Sequence, residues 1–496
     1  MVDYSISISS LLDKVLAILD QEDPPAFLVG GFVRDLLLGR PSHDIDLVVR
    51  EKAIGLTYRL ADQLDLPAYR LDSERDVGRI VVPGTDITID IAGFRGPDLE
   101  TDLYNRDFTI NAMAMPAQID ETGKVIDLFG GQADLQTRRI RMIHPTSIAE
   151  DPIRALRAAR FAVQFKAQIT QETDAAARAV ASELAARVSP ERIRDELNRL
   201  LALPAPHLGI RLLNEMGLLS VILPEVAALA GLEQSSPHHE PVLDHTLSTI
   251  RRLIELEQWL DSSEKPATFE WQSFVEPAIG PYLNQIREYL NQPVDGSITV
   301  RQMLRWGALF HDTGKALTQT IEADGRIRFL GHDEAGALLA RNRLNALSFS
   351  NLAIRLASEL VSGHMRPLYL ASEKRLPTRR TVYRFFRAFP FAGLVILLHA
   401  IADHIATYDG PGEEKDHHWL ISVIRTLYET YFTAYHETIA PNRLLTGQEI
   451  MEALGISSGP EIGRLIRLLE EGQAAGEIKT RDEALDFVHQ RYQSGK

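Results

Sequence analysis

Aspartates spaced two residues apart are the clearest chemical signal in the N-terminal part of the chain. Asp44 and Asp46 alternate with apolar residues in HDIDLVV, which predicts a strand with both carboxylates on one face. Asp90 alternates with isoleucines in ITIDI, so a neighbouring strand is expected to bring a third carboxylate to the same place. Carboxylates held side by side repel each other unless a cation lies between them. Such an oxygen-only group suits Mg²⁺ bound with a nucleoside triphosphate, where metal ions activate a hydroxyl and stabilise a leaving pyrophosphate.

A pair of glycines precedes these carboxylates. The run FLVGGFVRD predicts a strand from Phe27 to Val29, a turn at Gly30 and Gly31, and a helix whose start carries Arg34. Glycine lets backbone N–H groups approach a ligand closely, and a helix N-terminus favours phosphate. A solvated sheet edge is the alternative for any single aspartate. The three carboxylates and the glycine turn together favour a site for metal and nucleotide.

A second group of candidate residues is rich in histidine and lies in the C-terminal half. Its members follow the pattern H…HD…H…H…D and are His245, His311, Asp312, His332, His364 and Asp403. Imidazole and carboxylate ligands suit Mn²⁺, Ni²⁺, Fe²⁺ or Zn²⁺ rather than Mg²⁺ alone. An adjacent histidine and aspartate can bind one ion or bridge two, leaving a water to be activated against a phosphoester. Single histidines such as His399 and His418 are more often satisfied or exposed than ligands, so the predicted set omits them.

The elements that must position these residues change along the chain. Residues 26–140 alternate short apolar runs with helical segments, a pattern typical of an α/β domain, and strands are expected to stop near Ile143. From residue 151 onward, apolar residues at three- and four-residue intervals predict helices. The polar stretch 261–297 is expected to be a surface excursion, and the run DGPGEEKD at 409–416 precedes the last helical segment.

Length, composition and charge bound the class of protein. A chain of 496 residues predicts two to four domains, and the absence of cysteine excludes a disulfide scaffold or a thiolate metal site. The net charge of −15 argues against non-specific coating of nucleic acid, but residues 138–211 hold 13 basic and 8 acidic side chains, so a polyanion is expected there. With neither a signal-peptide pattern nor an apolar run of about 18 residues, we expect a cytoplasmic protein without a membrane partner.

The motifs, taken in order, resemble a known family. GGFVRD with DIDLVV resembles the nucleotidyltransferase superfamily signature. The runs DLYNRDFTINAMA (102–114), IDLFGGQADL (126–135) and EDPIRALRAARF (150–161) resemble the class II tRNA nucleotidyltransferase and bacterial poly(A) polymerase family. The HDTGK run and the other histidines are similar to the HD phosphohydrolase superfamily, whose domains often accompany this type of nucleotidyltransferase. The resemblance implies metal-dependent addition of nucleotides to an RNA 3′ end without a nucleic-acid template.

The same resemblance implies a multidomain chain. We expect an α/β nucleotidyltransferase head with a mixed sheet at 1–143 and a helical neck with the base-selecting motif at 144–235. An HD domain is expected at 236–410, with the insertion near 261–297, and a helical tail at 411–496.

The resemblance also implies roles for individual residues. Asp44 and Asp46 would bind Mg²⁺, and Asp90 would be an accessory carboxylate. The implied nucleotide-binding residues are Gly30, Gly31, Arg34, Asp102, Arg106, Asp107, Asn111, Glu150, Asp151, Arg154, Arg157 and Arg160. Among these, Arg106 and Asp107 would contact the ribose and triphosphate.

The base-selecting group can be argued from hydrogen bonding. Cytosine and adenine both carry an exocyclic amine beside an unprotonated ring nitrogen, whereas uracil and guanine present a carbonyl beside N–H. An Asp acceptor with an Arg donor therefore accepts C and A, and Asp151 and Arg154, three apart on a helix, would share one face together with Glu150. The alternative is a helix cap with an i,i+3 ion pair.

Two departures from the family pattern bear on which nucleotide is added. Members that add C, C and then A usually carry a long flexible loop after the FR that follows the third carboxylate, whereas here only residues 96–101 separate FR from Asp102. Asn105 stands before Arg106 where the family has paired arginines. The short loop resembles enzymes that add only CC. CC addition from CTP is therefore predicted, with a separate A-adding enzyme as partner, and CCA addition from CTP and ATP to tRNA stays open.

Three other functions remain open from the sequence. The HD site would be primary in a metal-dependent phosphohydrolase or phosphodiesterase whose head merely holds RNA, and a non-catalytic RNA-binding module is a further alternative. A-adding or poly(A) polymerase activity is the third alternative, and poly(A) polymerase is disfavoured because the chain has neither a strongly basic C-terminal tail nor an Arg-Arg-Phe signature ahead of the first carboxylates. The run 373–389 interleaves arginines with aromatic residues, so it either stacks on RNA or forms an amphipathic helix with a solvated basic face.

Overall fold

The computed structural model describes residues 8–20, 25–42, 44–117, 124–262, 271–296, 298–410 and 414–494. The chain divides into two compact units. The first comprises Met1–Arg192 with Glu215–Val221, and the second comprises Ile193–Asn214 with Ile222–Lys496.

The first unit is built on a six-stranded mixed sheet with the strand order β3-β4-β5-β2-β1-β6. Its strands are β1 Phe27–Val29, β2 Asp44–Val49, β3 Ala68–Asp72, β4 Val77–Val81, β5 Thr88–Gly93 and β6 Ala114–Pro116. Strands β2 and β5 are parallel, and the other neighbours are antiparallel. The mixed-sheet head predicted from the sequence is confirmed. The apolar run IDLF at 126–129 forms no strand, and Ile126 makes only an isolated bridge with Ala114.

The two faces of this sheet pack against different partners. The helices of the head are α1 Ile8–Leu19, α2 Gly30–Leu37, α3 Ala53–Leu64, α4 Leu99–Tyr104 and α5 Gly131–Gln136, with a 3-10 turn at Thr109–Asn111. Ile45, Leu47 and Val49 of β2 join α1, α2 and α3 in the main core. On the opposite face, Val48 and Leu103 lie in a smaller cluster. Alternation along β2 therefore leaves Asp44 and Asp46 on the face that the short helix α4 helps to cover.

A helical segment completes the first unit. Its elements are β7 Arg139–Ile140, α6 Ser147–Glu150, α7 Ile153–Phe165, β8 Gln168–Ile169, α8 Gln171–Ala179 and α9 Ala181–Arg187. Strand β8 pairs with β7 in parallel. The expectation that strands stop near Ile143 is therefore wrong: a two-residue strand after α7 returns to pair with the one before it.

The rest of the chain is mainly helical. Its helices are α10 Pro190–Leu201, α11 Pro206–Glu215, α12 Leu219–Ile222, α13 Pro224–Ala227, α14 Val242–Asp261, α15 Gln272–Ile279, α16 Leu283–Leu290, α17 Val300–Phe310, α18 Lys315–Thr318, α19 His332–Ala346, α20 Asn351–Gly363, α21 Arg366–Ser372, α22 Arg379–Ala388, α23 Gly393–Tyr408, α24 Glu414–Thr433, α25 Gly447–Leu454, α26 Pro460–Ala474 and α27 Arg481–Ser494. A 3-10 turn at Gly280–Tyr282 and a π-helix at Tyr435–Ile439 interrupt them. The sequence prediction missed two hairpins, formed by β9 Pro293–Asp295 with β10 Ile298–Thr299 and by β11 Gln319–Ile321 with β12 Ile327–Phe329.

The stretch 261–297 is not a surface excursion in its described part. Helices α15 and α16 each bury an i,i+4 apolar pair, Val275 with Ile279 and Ile286 with Leu290. Trp271 is buried as well. The polar composition hid these pairs, which are too short to stand out from the sequence. Residues 263–270 lie outside the described part.

The arginine-rich run 373–389 forms an amphipathic helix, α22. Its apolar side buries Val382, Tyr383, Phe385 and Phe386. Its basic side pairs with acidic residues of the C-terminal part, such as Arg384 with Glu471 at 2.5 Å and Arg387 with Glu470 at 3.0 Å. Both sides of α22 therefore contact other parts of the protein. This favours the amphipathic helix over an RNA-stacking surface.

Within the described part of the chain, no helix by itself is long and apolar enough to cross a membrane. Helices α22 and α23 meet that length and composition test only when taken together, as a pair bent by 98°.

Candidate active site and metal centre

Three carboxylates meet on strands β2 and β5 of the first unit. The parallel register pairs Asp44 with Thr88 and Asp46 with Asp90. Asp44 is exposed and accepts a 2.7 Å hydrogen bond from the Thr88 hydroxyl, while Asp46 and Asp90 are half-buried. The structure thus places the third carboxylate beside the other two, as the alternation in sequence predicts. Their role as metal ligands stays a prediction.

The Asp46 carboxyl is strongly perturbed by its surroundings. Burial, together with the negative charges of Asp90 and Asp44, raises the pKa of Asp46 to about 6, although Arg106 and Arg34 act in the opposite direction. A carboxyl that takes up a proton this readily lacks sufficient positive charge nearby. A divalent cation would supply that charge, so the all-oxygen group fits Mg²⁺.

Asp90 differs from the other two because a cation of the protein already neutralises it. Arg79, its cross-strand neighbour on β4, donates from Nε and Nη2 to the two Asp90 oxygens at 2.6 Å each. This bidentate geometry is the strong form of an Arg–carboxylate bond. To act as an accessory metal ligand, Asp90 would have to give up part of this pair. The structure therefore leaves Asp44 and Asp46 as the better placed ligands.

The paired glycines begin a helix rather than forming a separate turn. Helix α2 starts at Gly30, which has φ +69°, so the predicted turn is wrong in detail. A Cβ on Gly30 would lie 2.7 Å from Nη1 of Arg106 and 3.6 Å from Oδ2 of Asp46. Because Gly30 has no side chain, Arg106 and Asp46 can lie close to the first turn of α2.

Replacing Gly30 tests this close approach. Gly30→Ala is expected to raise the KM for the nucleotide about tenfold or more, because a strained φ and a displaced Arg106 together cost roughly 1–2 kcal/mol. Gly39→Ala is the matched control, since Gly39 has φ +62° and no atom within 4 Å of a built Cβ. Steady-state kinetics that changed equally in both variants would contradict the argument.

A buried chain of hydrogen bonds joins four predicted nucleotide-binding residues. Arg34 donates to Asn111 at 2.6 Å, Asn111 donates to Asp107 at 2.9 Å, and Arg157 pairs with Asp107 at 2.6 Å. Burial acts to raise the pKa of Asp107, but Arg157 and the hydrogen bond from Asn111 outweigh it and hold that pKa well below its ordinary value. The chain fixes Asp107 as a carboxylate.

Asp102 and Asn105 pin the short connection between β5 and α4. The Asp102 carboxylate accepts from the backbone N–H of Arg95 at 3.0 Å and from Arg106 at 2.9 Å. Asn105, the residue that departs from the family pattern, donates to the carbonyl of Arg95 at 2.7 Å. Asp98 caps α4 by accepting from the N–H of Thr101. The connection is therefore held by two hydrogen bonds at Arg95 and by the cap at Asp98.

The prediction that Asp151 and Arg154 share a helix is wrong. Glu150 ends α6, Asp151 is extended with φ −138° and ψ 93°, and Arg154 lies in the first turn of α7. Pro152 is the reason, because a proline disfavours the helical conformation of the residue before it.

Asp151 and Arg154 also bind different partners. Asp151 pairs with Arg192 at 2.7 Å. Arg154 donates to the Ser147 hydroxyl at 2.7 Å and to the carbonyl of Asn105 at 2.8 Å. The alternative from the sequence, a helix cap with an i,i+3 ion pair, is therefore not formed, and each residue has its own partners. Arg154 thus contacts Asn105, whose side chain bonds the connection at Arg95, whereas Asp151 is held by Arg192.

Two other members of the predicted set have local partners. Glu150 accepts from the Thr146 hydroxyl at 2.7 Å. Arg160 is buried, donates to Gln164 at 2.8 Å and lies 4.1 Å from the centre of the Phe161 ring. The same Phe161 ring lies 5.5 Å from the guanidinium carbon of Arg34 and 5.3 Å from that of Arg157, and a nucleotide contact by Arg160 stays a prediction.

The six histidine and aspartate candidates of the second unit come together as predicted, and all are buried. His245 Nε2 lies 2.8 Å from Asp403 Oδ1, and His311 Nε2 lies 3.1 Å from Asp312 Oδ2. His332 Nε2 lies 3.1 Å from His364 Nε2. This set of nearby atoms is called the histidine cluster below.

A close approach of two helices builds the cluster. His311 and Asp312 directly follow α17, and His332 opens α19. Between them Gly314 meets α19, where a Cβ on Gly314 would lie 2.6 Å from the backbone nitrogen of Gly336. Only glycine allows the HDTG turn to lie this close to α19.

Three of the histidines are oriented in the same way. In His311, His332 and His364, Nδ1 lies 2.6–2.8 Å from the carbonyl oxygen of the residue three positions earlier. A carbonyl accepts only, so Nδ1 carries the proton and Nε2 presents a lone pair, which is how proteins orient metal-binding imidazoles. The sequence predicts the residues but not this orientation.

The cluster contains two groups with metal-binding spacing, and Asp312 belongs to both. One is His245, His311 and Asp312, and the other is Asp312, His332 and His364, with ligand atoms within 4.8 Å of one another. Lys315 also pairs with Asp312 at 2.8 Å. Nitrogen-rich donors of this kind fit a transition metal ion better than Mg²⁺.

The sequence analysis omitted one histidine that lies at the cluster. His399 is fully buried on α23, and its ring centre lies 4.8 Å from that of His311. The available signal was its position four residues before Asp403 on an apolar helix, which puts both on one helix face.

Three family models match separate stretches of the chain. Residues 26–141 match the poly A polymerase head domain, 167–229 match a probable RNA- and SrmB-binding site of polymerase A, and 282–385 match the HD domain. The fold and the acidic group thus define a nucleotidyltransferase with an HD domain.

Relatives that match nearly the whole chain identify the family more closely. The chain is 33% identical to an A-adding tRNA nucleotidyltransferase of Deinococcus radiodurans, over 94% of this chain and 95% of the relative. It is 34% identical to a CC-adding tRNA nucleotidyltransferase of Thermus thermophilus, over 93% of each. The chain belongs to the tRNA nucleotidyltransferase family.

Solved structures share the fold. A CCA-adding enzyme in complex with ATP superposes with a TM-score of 0.61 at 21% identity, covering 98% of this chain and 95% of the other. The Thermotoga maritima CCA-adding enzyme in complex with tRNA gives a TM-score of 0.55 at 21% identity, covering 98% and 96%.

Proposed function

We propose that the chain adds two cytidines, and no adenosine, to the 3′ end of tRNA, using CTP and Mg²⁺. A separate A-adding enzyme in the same cytoplasm completes the CCA end. The observation that carries this proposal is the short, pinned connection between β5 and α4.

The pinned connection supports CC addition for a physical reason. A site that accepts first C and then A must change its shape between nucleotides, and in the family a long loop at this position accompanies that change. Here Asp98, Asp102 and Asn105 each hold the connection by hydrogen bonds. A segment so short and so fixed has little freedom to rebuild the nucleotide pocket for adenine.

The relatives do not decide between the two specificities. The A-adding relative of Deinococcus radiodurans and the CC-adding relative of Thermus thermophilus are about equally similar, at 33% and 34% identity. A further CC-adding relative, from Geobacter sulfurreducens, is 30% identical. The specificity is therefore argued from the connection alone.

In the proposed reaction, the tRNA 3′-hydroxyl attacks the α-phosphorus of CTP and pyrophosphate leaves. Asp44 and Asp46 would hold Mg²⁺, and the bound ion would supply positive charge for the attacking and leaving oxygens. Arg34 and Arg106 neutralise the triphosphate at the start of α2; the Asp107 chain positions Arg34, and Asp102 positions Arg106. Asp151 accepts from the cytosine amine and Arg154 donates to the ring nitrogen and carbonyl, which rejects uracil because its N–H and carbonyl are reversed.

The domain division stays part of the proposal. The head occupies 1–143, the neck 144–235, the HD domain 236–410 and the tail 411–496. Mg²⁺ serves the head, and Mn²⁺, Ni²⁺, Fe²⁺ or Zn²⁺ serves the histidine cluster.

Product length tests the proposal directly. A tRNA transcript ending at the discriminator base is incubated with CTP alone, ATP alone, or both, and products are resolved at single-nucleotide length. We expect two added nucleotides with CTP, none with ATP, and two with both. A third nucleotide from the mixture would show CCA addition, and extension of a transcript ending in CC by ATP alone would show A addition. Asp44→Ala, which removes a proposed metal ligand, is expected to give no product.

A further inference from the structure

His399 stands apart from the other histidines of the cluster by its hydrogen bonding. It is fully buried, and neither Nδ1 nor Nε2 has a hydrogen-bond partner in the described part of the chain. By contrast, His311, His332 and His364 each bond a backbone carbonyl through Nδ1. A buried polar group without a partner costs free energy unless something outside the protein satisfies it.

The position of His399 indicates what that partner is. Its ring centre lies 4.8 Å from that of His311 and 5.9 Å from that of His364. His311 belongs to one metal-binding group and His364 to the other. Asp403, one turn further along α23, also faces the cluster through its bond to His245. His399 therefore lies beside both groups, among residues whose ligand atoms converge.

We propose that His399 is a further nitrogen ligand of a two-cation centre in the histidine cluster. Asp312 would serve both cations because both groups share it, and His399 would add a nitrogen beside His311, the nearer of its two histidine neighbours. The added imidazole makes the centre selective for transition metal ions such as Mn²⁺, Fe²⁺, Co²⁺, Ni²⁺ or Zn²⁺, because neutral nitrogen donors bind these ions better than they bind Mg²⁺. The inference does not depend on which nucleotide the head adds.

The alternative is that His399 only fills space in the core. The two roles predict different effects of metal on the stability of His399→Phe. This variant keeps a planar ring and removes both nitrogens. A ligand role predicts that the variant is at least as stable as the wild type without metal and gains less stability when metal is added. A packing role predicts the same gain from metal in both proteins.

The experiment uses the full chain in an Asp44→Asn, Asp46→Asn background, so that head carboxylates do not contribute bound metal. Metal-free protein is titrated with Co²⁺, and its visible spectrum, its bound-metal stoichiometry and its thermal midpoint are recorded. We expect His399→Phe to weaken at least one Co²⁺ site tenfold or more, to change the visible bands, and to reduce the metal-induced rise in the midpoint.

Two control variants make the result specific. His404→Phe removes another buried imidazole of α23, whose ring contacts Phe274 and Tyr408 instead of the cluster, and is expected to leave Co²⁺ binding unchanged. His364→Phe removes a predicted ligand and is expected to weaken binding. If His399→Phe folds poorly, His399→Ala, which introduces no added bulk, repeats the measurements. Wild-type Co²⁺ affinity and spectrum in a folded His399 variant would overturn the proposal.

Discussion

Asp46→Asn is expected to abolish nucleotide addition and at the same time to stabilise the metal-free protein. Loss of this proposed Mg²⁺ ligand is expected to lower kcat about 10³-fold or more, since it would remove charge stabilisation made in the transition state. The same carboxylate is costly to the fold without metal, because burial and two neighbouring aspartates raise its pKa to about 6. The Asp46 carboxylate is thus expected to lower the stability of the metal-free protein and to favour metal binding.

The pH dependence of this effect has a definite sign. A carboxyl whose pKa rises from 3.8 in the unfolded chain to about 6 in the fold stabilises the protein fully only below the lower value. That contribution is lost as the pH rises through about 6. The free energy of unfolding of Asp46→Asn should therefore begin to exceed that of the wild type between about pH 4 and 6. Above about pH 6 the difference should reach about 1–3 kcal/mol.

The measurement is hydrogen exchange of the β2 and β5 amides in metal-free protein across this pH range, since a chain of several domains does not unfold in one step. Asp44→Asn is the matched control: Asp44 is exposed, so its variant is expected to lose activity without gaining stability. Excess Mg²⁺ should remove the advantage of Asp46→Asn by stabilising the wild type. Equal stability of the two variants at every pH would contradict the prediction.

Arg157→Met is expected to destabilise the first unit by about 2–3 kcal/mol at pH 7, because it leaves the buried Asp107 carboxylate without its cation. Arg157 pairs with Asp107 at 2.6 Å and is partly exposed, which keeps the expected loss below that of a fully buried pair. Activity is expected to fall as well, since Asp107 bonds Asn111 and Asn111 in turn orients Arg34.

The loss should shrink in acid. In the wild type, Asp107 has a depressed pKa, so it contributes stability above its unfolded value of 3.8 and loses this contribution as the pH falls toward the folded value. Without Arg157 the carboxyl takes up a proton more easily, so the difference between variant and wild type should begin to shrink as the pH falls toward 4 and should close only as the pH approaches the lower, folded pKa of the wild type.

Hydrogen exchange of the α7 amides measures this destabilisation. The double variant Arg157→Met, Asp107→Asn removes the unpaired charge and is expected to recover part of the loss. Arg187→Met breaks a pair with Glu183 in which both side chains are exposed, and should cost under about 0.5 kcal/mol. A cost for Arg157→Met that is the same at pH 4 and pH 7 would rule out the electrostatic explanation.

Residues that act through local spacing could be predicted from the sequence. The alternation in HDIDLVV and ITIDI predicts which faces of β2 and β5 carry Asp44, Asp46 and Asp90, because side chains alternate strictly along a strand. The spacing of the histidines and aspartates likewise predicts the members of the histidine cluster. One error was avoidable, since Pro152 already argues that Asp151 lies outside α7.

Only the tertiary structure decided which partner each charged or metal-binding side chain has. Asp90 is neutralised by Arg79 because β4 lies beside β5, and the arginines of α22 meet glutamates almost ninety residues away, as Arg384 does with Glu471. His399 reaches the cluster because α23 packs beside α17. A sequence records which side chains share one strand or helix face, since that depends on a fixed local period. It does not record which faces meet, because that depends on packing between segments far apart in the chain.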